Sequence, residues 1–157
     1  MKLSTSKLIK KLLKKRIRIS IAESCTGGML SSVITSVSGS SKIFNIGLVP
    51  YSNLSKINVL KVSKKILTKY GAVSEQVCKS MVKNIYIIGK TNMSVAVTGI
   101  AGPSGGTKKK PVGLVFIGIK KKNKIIVKKY LFKNKGRAYI QKATVNKCIK
   151  LIFGMIK

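Results

Sequence analysis

Short β-branched stretches alternate with stretches of helical periodicity along the whole of this 157-residue chain. That alternation restricts the possible folds more than any other feature. Leu3 to Arg16 puts Leu8, Ile9, Leu12 and Leu13 on one face with lysines between them, the spacing of an amphipathic helix. Ile17 to Ala22 follows as a short strand, alternating Ile17, Ile19 and Ile21. It stops at Glu23-Ser24-Cys25-Thr26-Gly27-Gly28, after which Met29 to Val37 reads as helix. Ile43 to Val49 is a second strand ended by Pro50, and Ser52 or Asn53 can cap a helix through Leu60. A short helix over Ser63 to Lys69 closes at Gly71. Ser74-Glu75 then opens a longer one to about Ile88, with the acid in the first turn, where the helix dipole favours it. Ser94 to Val97 is a buried strand and Thr98 to Thr107 a glycine-rich loop. Val112 to Ile119 and Lys124 to Phe132 form a strand pair turning at Lys121-Lys122-Asn123, and Gly136 precedes a last helix to about Phe153. The predicted fold class is therefore α/β: a single domain over residues 1–157, three-layer α/β/α, with helices on both faces of a central sheet. The length suits one domain with a sizeable core.

Charge decides which chemistries remain open. The chain carries 33 Lys+Arg against 2 Asp+Glu, has no His, and has a formal net charge of +31. Without His there is no Ser–His–Asp triad, no Cys–His pair and no His-held metal. With only Glu23 and Glu75 as acids, carboxylate-held Mg²⁺ or Ca²⁺ sites, kinase-type chemistry and two-metal hydrolysis are excluded on composition. Catalysis is left to Ser, Thr, Cys, Tyr, Lys, Arg and backbone groups. No metal and no cofactor is implied. Cys25, Cys78 and Cys148 are odd in number and lack C-x-x-C spacing, which fits a reducing compartment, and the cytoplasm is the expected location.

An excess of cations first suggests a nucleic acid or an anionic membrane as partner. Yet 30 of the 33 cations are lysine; only Arg16, Arg18 and Arg137 can make bidentate phosphate contacts. The charge is spread along the chain, and 45% of the residues are hydrophobic, a globular composition. Nucleic acid binding is thus the less favoured reading. No stretch reaches the ~18 apolar residues of a membrane span, so no membrane partner is expected.

Three segments could carry chemistry. A strand ending in Ala22-Glu23-Ser24-Cys25-Thr26-Gly27-Gly28 and opening a helix presents backbone N–H groups that bind a phosphate or stabilise an oxyanion, although an ordinary strand-to-helix turn capped by Thr26 reads the same way. Thr98-Gly99-Ile100-Ala101-Gly102-Pro103-Ser104-Gly105-Gly106-Thr107 is a second such loop after a buried strand. Loops of this kind line the ligand crevice of α/β sheets. It fits neither the Walker A nor the dinucleotide-binding glycine pattern. Tyr51-Ser52-Asn53-Leu54-Ser55-Lys56 is the third, where Lys56 taken alone reads as one more solvated lysine.

Together these segments resemble a known family. Glu23-Ser24-Cys25-Thr26-Gly27-Gly28, Tyr51-Ser52-Asn53 with Lys56, Gly71-Ala72-Val73-Ser74-Glu75, Thr98-Gly99-Ile100-Ala101-Gly102-Pro103 with Gly105-Gly106-Thr107, and Lys110-Pro111-Val112-Gly113 occur in the order found in the CinA C-terminal domain family. Its enzymatic members are nicotinamide-nucleotide amidohydrolases. The resemblance covers roughly Leu3 to Phe153. It implies a homodimer acting on a small nucleotide substrate: nicotinamide mononucleotide is hydrolysed at its carboxamide to nicotinate mononucleotide and ammonia, a step of NAD salvage, without a metal. Ser24 matches the family's nucleophile, Lys56 the base, and Tyr51 a tyrosine near both. Thr26, Gly27, Gly28, Asn53, Thr98, Gly99 and Gly102 match segments around the substrate, with the N–H groups of Thr26 to Gly28 expected to hold the oxyanion. Arg137 is the match for an arginine on the substrate phosphate. The sequence departs from the pattern just after it, reading Ile140-Gln141-Lys142-Ala143 where further arginines are common. Cys25 is a rival nucleophile. Glu23 is expected to orient the turn rather than act as an acid, and Glu75 to serve as a helix-start residue. The alternative function is a non-catalytic basic protein of the same fold, binding nucleic acid or a protein partner.

Composition adds one expected outcome to the activity that the resemblance implies. Amide hydrolysis should proceed undiminished in excess EDTA; a loss of turnover restored by one divalent cation would contradict the metal-free reading.

Overall fold

The computed structural model describes residues 2–156. Its elements run α1 (Lys2–Lys14), β1 (Ile19–Glu23), α2 (Met29–Thr35), a 3₁₀ turn (Ser40–Lys42), β2 (Phe44–Leu48), α3 (Asn53–Asn58), α4 (Lys64–Tyr70), α5 (Glu75–Gly89), β3 (Met93–Gly99), β4 (Leu114–Lys121), β5 (Lys124–Leu131) and α6 (Arg137–Met155). The strands form one sheet in the order β2-β1-β3-β4-β5. β2, β1 and β3 are parallel, while β4 and β5 join antiparallel, so the sheet is mixed.

Alternation along the buried strands sorts the side chains into two cores. Ile19, Ile21, Val95, Val97, Val115, Ile117 and Ile119 face a cluster shared with Leu8, Leu12, Leu30, Ile34, Ile140, Cys148 and Ile152 from α1, α2 and α6. Ala22, Ala96, Leu114 and Phe116 face the opposite cluster, with Leu67 of α4 and Val77, Cys78, Met81, Val82 and Ile85 of α5. Helices cover both faces, which makes the expected three layers. Where α5 crosses it, this face of the sheet carries several small residues. Ser20, Ala22, Ser94, Ala96 and Gly118 let the helix lie close, and a Cβ at Gly118 would stand 3.1 Å from Cys78 Sγ. The two hydroxyls are spent on the helix itself, Ser20 donating to Ile85 O at 2.9 Å and Ser94 to Val82 O at 2.8 Å. These two buried hydroxyls therefore cost nothing in unmet hydrogen bonds.

Element ends differ from the sequence expectations by one or two residues, for local reasons. The first helix stops at Lys14 rather than Arg16 because Arg16 is left-handed (φ 52). Arg16 N–H donates to Leu13 O and Ile17 N–H to Leu12 O, the paired bonds that close a helix, so Ile17 belongs to the cap and the strand starts at Ile19. The helix after β1 ends at Thr35 rather than Val37, and β4 begins at Leu114 rather than Val112, since Gly113 turns at φ 97. Parallel β1 and β3 both end, at Glu23 and Gly99, on the same edge of the sheet. That edge is the crevice where α/β sheets bind ligands.

Lysines occupy the solvent faces, as on β5, where Lys124, Lys128 and Lys129 are exposed. With a formal net charge of +31, like-charge repulsion opposes the compact state, and salt screens it. Raising NaCl from about 0.02 to about 0.5 M should lift the unfolding temperature by several degrees. A midpoint independent of salt would mean that the repulsion persists equally in the unfolded chain.

Candidate active site

At the shared ends of β1 and β3 lies a cavity of about 310 Å³ lined by Ser24, Cys25, Tyr51, Asn53, Lys56, the strand-end loop from Thr98 to Gly105, and Arg137, among others. Its floor is the turn after β1. Ser24 N–H donates to Val97 O at 3.0 Å, continuing the β1–β3 pairing one residue past the strand. Gly27 and Gly28 have φ of 60 and 93, and two consecutive left-handed residues are tolerated at little cost only as glycines. The turn is held from beneath by Glu23. Its fully buried carboxylate accepts from Leu30 N–H at 2.9 Å, from Ser31 N–H at 2.8 Å and from Ser31 Oγ–H at 2.7 Å. The first N–H groups of α2 are thus met by the protein's own anion and do not receive a substrate phosphate.

Lys56 is the largest fully buried side chain of the described residues, 1% exposed. Ser52 caps α3 by accepting from Ser55 N–H at 3.0 Å, and the single helical turn that follows aims Lys56 inward. Its Nζ lies 3.1 Å from Ser24 Oγ, 3.0 Å from Pro50 O and 3.1 Å from Tyr51 O. Burial pushes the Lys56 pKa down from the ordinary 10.5, because an ammonium loses hydration that a neutral amine does not need. Cys25, the other nucleophilic atom in the wall, moves the opposite way. Burial raises its thiol and Glu23 adds to the rise, while its own backbone N–H and the nearby Arg137 and Lys56 charges only partly offset this, leaving it at about 12. A thiol with that pKa is not a thiolate near neutrality, and Cys25 is a poor nucleophile.

Arg137, in the first turn of α6, closes the cavity mouth. Its guanidinium donates to Gly102 O at 2.9 Å and to the Tyr51 hydroxyl at 2.6 Å, so it spans from the Thr98–Gly105 loop to the segment after β2. Thr98 Oγ1 donates to Ala72 O at 2.8 Å and fixes the root of that loop.

The structure brings Ser24, Lys56, Tyr51, Asn53, Thr98, Gly99, Gly102 and Arg137 together around one cavity. The expectation for the turn from Thr26 to Gly28 needs correction. Thr26, Gly27 and Gly28 form the turn behind Ser24 and are not among the lining residues. Gly27 N–H is not free for an oxyanion, because it donates to Ser24 O at 3.0 Å to close the turn. Tyr51 meets Lys56 through its backbone carbonyl, while its phenol, on a side chain 56% exposed, reaches Arg137 instead. Sequence reasoning missed the walls Ala72 and Val73, and Gln141, whose Nε2 donates to Cys25 O at 2.9 Å. The signal for Gln141 was its place one helical turn after Arg137, on the same face.

The CinA C-terminal domain profile matches residues 2–156. The chain belongs to the CinA C-terminal domain family. A CinA-like protein of Prochlorococcus marinus strain AS9601 is 48% identical over 146 residues, 92% of this chain and 34% of that protein. A second, from strain MIT 9312, is 49% identical over 144 residues, 90% of this chain and again 34% of that protein. The chain thus spans about a third of the length of these curated relatives. Among solved structures, the competence/damage inducible protein CihA of Agrobacterium tumefaciens superposes with a TM-score of 0.97 at 34% identity, covering 99% of this chain and 95% of that one. A CinA superfamily protein of Escherichia coli gives 0.93 at 28% identity, over 97% and 88%. Among the described residues, no helix is long and apolar enough to cross a membrane.

The buried amine has a consequence for stability. Its folded pKa lies below the unfolded 10.5, so between the two values the unfolded chain binds the extra proton. Over that interval this group makes stability rise with pH, and its contribution stops changing above 10.5. Denaturant unfolding of the parent and of Lys56→Met from about pH 7 to about pH 10 should show the difference shifting in the parent's favour as pH rises. A difference flat with pH would mean that the amine pays no desolvation penalty.

Proposed function

We propose that this chain is an amidohydrolase of the CinA family that converts nicotinamide mononucleotide to nicotinate mononucleotide and ammonia, with Ser24 as nucleophile and Lys56 as general base. One observation carries the reading: a buried lysine of lowered pKa, 3.1 Å from a serine hydroxyl in the wall of a small-molecule cavity. A buried amine is a base of suitable strength, as a free lysine is not.

The surroundings of Nζ suit both of its protonation states. Neutral, the amine donates its two N–H groups to Pro50 O and Tyr51 O and offers its lone pair to the Ser24 O–H. Protonated, it donates to all three oxygens. Proton transfer therefore leaves no buried donor or acceptor unmet. Ser24 Oγ attacks the carboxamide carbon, its proton passes to Nζ, and the carbonyl electron pair moves onto the oxygen. Collapse of the tetrahedral adduct expels ammonia, which takes the proton from Nζ and leaves an acyl-serine. Water, deprotonated by the same amine, attacks that ester, and the proton returns to Ser24 as the acid leaves. The cavity of about 310 Å³ lies within the usual range of about 300–1,000 Å³ for small-molecule sites. In this reading Arg137, at the mouth, meets the nucleotide phosphate while the amide reaches Ser24.

The test is ammonia release from nicotinamide mononucleotide by the purified protein. kcat/KM should rise with pH along a limb that belongs to Lys56. Lys56→Arg, which cannot deprotonate, should be nearly as inactive as Ser24→Ala, both down by about two to four orders of magnitude. An active Lys56→Arg beside a dead Ser24→Ala would show that the lysine supplies only charge. Nicotinamide riboside should be a far poorer substrate than the mononucleotide. Arg137→Ala should act mainly on KM, costing about 2–5 kcal/mol in kcat/KM if the phosphate contact is enclosed. Equal kcat/KM for nucleoside and nucleotide would remove Arg137 from that role.

A further inference from the structure

Side-chain oxygen and nitrogen atoms in the cavity wall differ in what holds them. Ser24 and Lys56 meet at the base, and Thr98 Oγ1 is spent on Ala72 O. The side chains of Asn53 and Ser104 also line the cavity, and they bond to no other residue among those described. Arg137 and Tyr51 are tied together at the mouth. One terminal nitrogen of the guanidinium donates to Gly102 O at 2.9 Å, the other to the Tyr51 hydroxyl at 2.6 Å. Each of these two acceptors is itself held. Gly102 is left-handed at φ 78 and lies so close to Val112 that an added Cβ would stand 2.6 Å from its Cγ1. Tyr51 is fixed at its root, where its carbonyl accepts from Lys56 Nζ at 3.1 Å, one residue before the Ser52 cap of α3.

A guanidinium carries five N–H groups. Two are used on Gly102 O and Tyr51 Oη, and the other three donate to no residue among those described. They stand at the mouth of a cavity that no carboxylate lines. An arginine loose in solvent loses rotamer freedom when an anion orders it, whereas one tied through both terminal nitrogens has lost that freedom beforehand. We propose that Tyr51 is a positioning residue for substrate selection: its hydroxyl holds the Arg137 guanidinium across the mouth, with the remaining N–H groups ready for the phosphate of a nucleotide. It takes no part in proton transfer at the amide, since the phenol bonds to Arg137 and to neither Ser24 nor Lys56. This rests on the nucleotide reading of the cavity, but not on the amide being the bond that breaks.

The test compares kcat/KM for nicotinamide mononucleotide and nicotinamide riboside in the parent, Tyr51→Phe, Arg137→Ala and the double variant. The ratio of the two values reads what the phosphate contributes. Tyr51→Phe, which keeps the ring and loses the hydroxyl, should lower that ratio by about three- to thirtyfold, through KM rather than kcat. In the Arg137→Ala background the same change should lower it by no more than about twofold, because the hydroxyl acts through the guanidinium. Calorimetric binding of ribose 5-phosphate should weaken in Tyr51→Phe by a similar factor, and unfolding temperatures separate this from a loss of fold. A ratio that Tyr51→Phe leaves unchanged overturns the proposal, and so does a penalty as large without Arg137 as with it. A parent that binds ribose 5-phosphate more tightly than Tyr51→Phe does, yet leaves the mononucleotide intact, overturns the amide reading while this one stands. A parent that cleaves the mononucleotide while both proteins bind ribose 5-phosphate equally overturns this one alone. A parent that neither cleaves the one nor binds the other overturns both.

Discussion

A buried carboxylate must be answered by donors on the spot, and Glu23 is answered by the opening turn of α2. Two backbone N–H groups and one hydroxyl converge on it, the helix dipole adds to the attraction, and none of its partners is a lysine side chain. That single arrangement locks the end of β1 to the start of α2, and the residues between them are Ser24, Cys25, Thr26, Gly27 and Gly28. Removing the carboxylate would leave buried N–H groups unmet, a larger cost than any lost surface pair. In a chain with only two acids, one is spent here, under the nucleophile. The other, Glu75, opens α5, whose Ser74 cap accepts from Val77 N–H. Neither carboxylate lines the cavity, whose charged side chains are Lys56 and Arg137.

Burial changes what a lysine can be. Most of the 33 cations keep their heads in water, where the amine stays charged and hydrogen-bonding to solvent is free. Lys56 differs from them in burial alone. A single turn of helix, started by the Ser52 cap, turns its side chain inward, and two carbonyls just upstream, at Pro50 and Tyr51, wait at hydrogen-bonding distance. Desolvation lowers its pKa without any neighbouring cation being needed to do so. The same burial raises the pKa of Cys25 beside it, so one dry environment favours the amine as a base and disfavours the thiol as a rival nucleophile.

The layers of the fold were legible because they rest on local pattern: period-two alternation in Val95 to Val97 and Ile19 to Ile21, helical spacing in Val77, Met81 and Ile85, and hydroxyl caps at Ser52 and Ser74. Helix ends were less so, since Arg16 takes a left-handed cap where glycine is the usual signal. Around the cavity, motif order brought Ser24 and Lys56 to notice, but nothing in the local sequence distinguishes Lys56 from its many exposed counterparts. Burial is a tertiary property, decided by α3 folding back over the strand ends. Tyr51 illustrates the same limit. Its number could be read, but not that its carbonyl would face Lys56 while its phenol faced Arg137, 86 positions away. A strand that ends where a helix opens points to free N–H groups at Gly27, but the turn consumes that N–H to reach Ser24 O.

Hydrogen-bond accounting in the nucleophile turn shows why α6, last in the chain, completes a site that β1 begins. Cys25 O finds no donor within the turn and takes one from Gln141 of α6. A buried carbonyl left unmet would cost about 1–3 kcal/mol, enough to let the Cys25–Thr26 peptide rotate. Gln141 removes that freedom, and Arg137, four residues earlier on the same helix, grips Gly102 O and the Tyr51 hydroxyl. The first turns of α6 therefore touch the site at both its ends, the mouth and the nucleophile turn. Since α6 packs against α1 and α2 through Ile140, Cys148 and Ile152, whatever shifts it as a rigid body moves both contacts together. Binding at the mouth and geometry at Ser24 are thus joined through one helix, which is the structural condition for remote contacts to be spent on orientation at the reacting centre.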